Sequence, residues 1–94
     1  MLQAPRHLFA QVRQACEYRP SVTAIVLFGL AVEGEGEPPV YMEIRFIDHA
    51  RLQIEGEHMM LSLDAAIAAA RHDYGILRQD WRQMSQEDVE RIPW

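Results

Sequence analysis

The chain has 94 residues and a net charge of −5, with hydrophobic residues at 49% and charged residues at 24%. That is one ordinary globular domain spanning 1–94, not a disordered chain, with a modest stability margin for its size. An acidic chain whose nine positive charges, all Arg, are scattered from Arg6 to Arg91 does not carry the basic patch of a nucleic-acid binder. The longest apolar run, 24–32, is far short of the ~20 residues of a membrane helix, and the start lacks the pattern of a signal peptide. A cytoplasmic location is expected. Cys16 is the single cysteine, so no internal disulfide forms. The absence of Lys and Asn fits a GC-rich, bacterial coding sequence.

In chain order, residues 4–18 fit a helix, with Pro5 at its start, Leu8, Phe9, Val12, Ala15 and Cys16 as its apolar stripe, and Arg19-Pro20 as its stop. Residues 22–33 fit a strand so uniformly apolar that both of its faces need cover. Val22, Ala24, Val26, Phe28, Leu30 and Val32 are expected to meet the helices. The other set, Ile25, Leu27, Gly29 and Ala31, then waits for the C-terminal Trp94 or a second subunit, which makes Ile25, Leu27, Ala31 and Trp94 a candidate interface.

Glu33-Gly34-Glu35-Gly36-Glu37-Pro38-Pro39 is a loop by composition, and Glu33, Glu35 and Glu37 are candidates for steering the chain toward a basic partner. Residues 40–48 alternate cleanly, with Val40, Met42, Ile44 and Phe46 expected inside and Tyr41, Glu43 and Arg45 outside. A third strand is expected at 51–55, a turn at Glu55-Gly56-Glu57, and a short fourth strand at 58–61.

Ser62 reads as an N-cap, Asp64 as a favourable first-turn charge, and Gly75 as the C-terminal stop of an Ala-rich helix whose apolar side is Ile67, Ala70 and Tyr74. Ser85-Gln86-Glu87-Asp88 resembles a capping box, with Met84 and Val89 as its hydrophobic staple, and starts a short helix at 86–91. Trp81 is expected to fold back on the domain. The fold class is therefore α+β, in the order α-β-β-β-(β)-α-α: an antiparallel meander of three to four strands with two long helices packed on one face.

The chemistry-bearing residues do not fall into a catalytic pattern. His7, His49, His58 and His72 lack the spacing of a metal motif, although His49, Glu57 and His58 sit on adjacent turns where a metal would need converging ligands. His72-Asp73 resembles the metal-binding dipeptide of HD-type phosphohydrolases, but it stands alone. Cys16 reads as a buried structural thiol, and Ser21, Ser62 and Ser85 as turn or cap residues.

No cofactor is expected. The leading expectation is a non-catalytic protein-interaction module, partnered by a second copy of itself or by another protein. Its profile resembles that of bacterial toxin-neutralising immunity proteins, which are small, acidic and α+β. The alternative is a small-molecule binder with a pocket between sheet and helices. An enzyme would need Tyr41, Glu43, Arg45 and His49 to gather in one cleft.

Overall fold

A computed structural model describes residues 6–30 and 39–92. Five strands, β1 (His7–Gln11), β2 (Ala24–Leu30), β3 (Val40–Asp48), β4 (Gln53–Met60) and β5 (Arg82–Gln83), form one antiparallel sheet in the order β4-β3-β2-β1-β5. Two helices complete it: α1 (Leu63–Tyr74), which connects the β4 side to a 3-10 turn at Arg78–Asp80, and α2 (Gln86–Arg91). The class is α+β as expected. The element order is not, because residues 7–11 of the expected first helix are a strand and, among the described residues, only α1 is a long helix.

The correction at β1 has a specific cause. Leu8, Phe9 and Val12 fit a helical stripe, but Leu8, Ala10 and Val12 also alternate with His7, Phe9 and Gln11. The strand reading wins because it pairs five residues with β2, from His7↔Phe28 to Gln11↔Ala24, and two of the five, Leu8 and Phe9, with β5 as well. After Val12 the chain turns tightly, with Cys16 and Arg19 forming an isolated bridge. Cys16 is buried, on this turn and not on a helix.

The faces are also exchanged relative to expectation. Leu8, Ala10, Ile25, Leu27 and Tyr41 pack with Ala66, Ile67, Ala70 and Tyr74 of α1. Fully buried alanines at 66 and 70 let the helix lie close to the strands. The opposite set, Phe9, Ala24, Val26, Ile44 and Phe46, packs with Met84 and Ile92, and Val89 of α2 joins them. Both faces of β2 are thus covered within one chain.

The 12 residues of α1 begin and end as local chemistry dictates. The Ser62 Oγ accepts a hydrogen bond from the Ala65 amide at 3.0 Å. Gly75 stops the helix at φ 68°, a left-handed conformation that suits glycine, and its amide donates to the Arg71 carbonyl. The Tyr74 carbonyl accepts from the amides of Arg13 and Gln14, which ties the helix end to the turn after β1. Ser85 caps α2 by accepting from the Asp88 amide at 3.1 Å.

The expected third and fourth strands are one strand. The register of β3 against β4 shifts between Arg45↔Gly56 and Phe46↔Ile54, so Glu55 is a bulge and Gly56 is not a turn. Leu52, expected in a strand, holds the turn before it at φ 55°.

Candidate functional site

On the α1 face, the bulge turns Glu55 toward β3. Arg45 Nε donates to Glu55 Oε1 at 3.0 Å, Arg45 Nη1 lies 3.6 Å from Glu43 Oε1, and Arg19 reaches Glu55 Oε2 at 3.6 Å. A Cβ on Gly56 would collide with the Arg45 guanidinium, so glycine gives that group its place. Glu43 and Arg45, expected in solvent, are 4% and 9% exposed. Mutual neutralisation makes that burial tolerable.

Burial raises the Glu43 pKa against the pull of Arg45. Burial, together with the nearby Glu43 charge, pushes the Tyr74 phenol up to about 12. Glu43 Oε2 and the Tyr74 hydroxyl are both buried without a hydrogen-bond partner. Glu43 and Arg45 are the buried members of the cluster, while the Arg19 and Glu55 side chains keep 40% and 26% of their surface exposed.

His49, which an acid–base site would require beside Glu43, is on the other side of the sheet. Its ring packs on Phe9 (4.6 Å between centroids) and edge-on to Phe46 (5.0 Å). Burial lowers its pKa, Arg91 adds to the effect, and Asp88 opposes it. His58 pairs in register with Glu43 and Glu57 with Ile44, so His58 and Glu57 belong to opposite faces. Among the described residues, no group of His, Cys, Asp and Glu has the geometry to hold a metal ion.

Open, accessible chemistry gathers instead where β1 loses its neighbour. The β5 pairing stops at Phe9↔Arg82, because the chain just before Arg82 is the 3-10 turn at Arg78–Asp80 and is not a strand. The His7 carbonyl accepts from the Met84 amide and the Val12 amide donates to the Thr23 carbonyl. By strand alternation, the Gln11 amide and carbonyl point to the side that β5 no longer covers. A groove of about 440 Å³ runs there, past Phe9, Gln11 and Val12, with Arg82 and Arg13 along it.

Arg13 is held by Asp80 through two hydrogen bonds of 2.6 Å, and the Leu77 amide donates to the same carboxylate at 2.8 Å. The Arg13 hydrogen bond depresses the Asp80 pKa, and the same bond raises that of Arg13. Arg82 lies over the Phe9 ring, 4.7 Å from its centroid. A smaller pocket of about 170 Å³ shares Phe9 and Arg82 with the groove and is also lined by His49, Gln83, Met84, Ser85 and Asp88.

Of the residues singled out in the sequence, Ile25 and Leu27 are fully buried under α1. The face from which a partner subunit was expected is therefore occupied by the chain's own helix. Ala31, Glu33, Glu35, Glu37 and Trp94 lie outside the described residues. Trp81 packs on the α1-side core as expected. Phe9, Arg82 and Asp88 were not anticipated. Alternation at 7–12 was the signal available for Phe9, whereas a two-residue strand at 82–83 carries no periodicity to read.

No helix among the described residues is long and apolar enough to cross a membrane. No family model, curated protein or solved structure matches this chain. Its function has to be read from its own geometry.

Proposed function

We propose that this chain is a non-catalytic protein-binding module whose partner lays an extended segment along the open stretch of β1, with a carboxylate directed to Arg82. The observation that supports this reading is the interrupted edge. β1 continues past the end of β5, turning the backbone groups of Gln11 toward a groove of about 440 Å³.

An unpaired strand edge is a template for another strand. Backbone hydrogen bonds supply affinity there, and neighbouring side chains supply choice of partner. Arg13 is already neutralised by Asp80, while Arg82 forms no ion pair among the described residues. The chain's net charge of −5 does not attract an acid from a distance, so recognition of the carboxylate is local, through Arg82.

The test is a selection of displayed random peptides against the wild-type chain, followed by binding to Arg82→Glu. Selected peptides are expected to carry an acidic residue, to shift the Gln11 amide resonance, and to lose about tenfold in affinity to the variant, about 1.4 kcal/mol. Peptides that bind Arg82→Glu equally well, or that leave Gln11 unmoved, would overturn the reading.

A further inference from the structure

We propose that the pocket between β5 and α2 binds a small free α-amino acid as its zwitterion. The pocket has a volume of about 170 Å³, and its lining includes Arg82, Asp88 and the aromatic and apolar side chains of Phe9, His49 and Met84. Neither Arg82 nor the Asp88 carboxylate forms an ion pair among the described residues, and although they line the same small cavity they do not pair with each other. A cation and an anion that share one pocket without neutralising each other match a ligand that carries both charges. A simple carboxylate would leave Asp88 unmatched, and a simple amine would leave Arg82 so.

The two charged groups differ in what they can hold. The Arg82 guanidinium is positioned by its stack on Phe9 and offers a planar fork suited to a carboxylate. Asp88 accepts from an ammonium. His49 is packed between Phe9 and Phe46, and burial favours its neutral form, so it adds no competing positive charge. The volume corresponds to roughly five or six water molecules at about 30 Å³ each, the size of an amino acid with a short side chain. Phe9 and Met84 select an apolar side chain over a charged one.

The experiment is an amide-resonance titration of the full chain with three probes: L-valine, isovalerate, which lacks the ammonium, and isobutylamine, which lacks the carboxylate. L-Valine is expected to shift the Arg82, Met84, Ser85 and Asp88 amides saturably, with each single-charge probe about tenfold weaker or more. Arg82→Gln and Asp88→Asn are each expected to weaken L-valine by a similar factor with the melting temperature retained. Arg13→Gln, which changes the neighbouring groove and not this pocket, is expected to leave valine binding intact. No saturable shift with L-valine, isovalerate binding as tightly as L-valine, or unchanged binding in Arg82→Gln would each overturn the proposal. Arg82 lines both this pocket and the β1 groove, so peptide docking is read separately, at the Gln11 amide, and Asp88→Asn is the variant that affects valine alone.

Discussion

Arg45 and Phe46 are neighbours in β3, yet one is held on the α1 face by two carboxylates and the other is sealed on the opposite face by apolar side chains and the His49 ring. The α1 face has a 12-residue helix, capped at both ends, and it encloses charge. The opposite face is closed by Met84, Ile92 and one side of a six-residue helix, and its polar member, His49, is stacked on aromatic rings. A long helix excludes water well enough that charges beneath it must satisfy one another. The short one leaves a gap at its start, between α2 and β5, where Arg82 and Asp88 line one small pocket.

Substitutions at these two neighbours test the comparison most strongly. Arg45→Met leaves Glu43 buried without its cation and is expected to cost about 3–5 kcal/mol in denaturant unfolding at neutral pH. Adding Glu43→Leu is expected to recover much of that loss, since an apolar pair replaces a lone buried charge. Phe46→Ala is expected to cost a similar ~3–5 kcal/mol through lost burial and a residual cavity, with no second substitution of charge able to repair it. A harmless Arg45→Met would show that Arg45 does not compensate the buried Glu43 charge.

Gly56→Ala comes next. Its methyl group must displace the Arg45 guanidinium, which Glu43 and Glu55 hold, and a loss of about 1–3 kcal/mol is expected. The same change in an Arg45→Met background is expected to cost less, a coupling that a double-mutant cycle measures. Tyr74→Phe works in the other direction. It deletes a buried hydroxyl that has no partner and is expected to stabilise the chain by up to about 1 kcal/mol, read as a higher denaturation midpoint.

The smallest effect is the response to pH, and its sign differs between the faces. Glu43 has a raised pKa in the folded chain, so the unfolded chain ionises first. Its contribution to stability is present below the ordinary glutamate range and is lost as pH rises through the raised value. His49 and His7 have lowered pKa values from burial. Their contributions are present above the ordinary histidine value of 6.5 and are lost as pH falls through the lowered values. Melting curves across mildly acidic pH are therefore expected to flatten in opposite senses in Glu43→Gln and His49→Gln. The same sign of change in both would show that burial does not act on the two groups in opposite directions.

What was legible in the sequence was local. Ser62 and Gly75 bound α1, and Ser85 starts α2, because caps act within one turn of chain. β2 and the alternating β3 were also legible as strands, since their composition left no good alternative. Illegible were the features that depend on a distant neighbour. At 7–12 two periodicities coexist, and only pairing with β2 selects the strand. At Glu55-Gly56 the same residues serve a turn or a bulge, and Arg45 across the ladder decides for the bulge.

The candidate site was hidden for the same reason. Phe9, His49, Arg82 and Asp88 come from four separate parts of the chain and meet only when β5 joins β1.

By itself, then, the sequence determined an acidic α+β domain, its helix ends and its central strands, all set by short-range propensity and by the need to bury apolar side chains. The tertiary structure decided which way the strands face. A period-2 pattern states that two faces differ, but not which one a helix will cover. With β2 apolar on both sides, that choice was open until α1 settled over Ile25 and Leu27 and took Glu43 and Arg45 in with them.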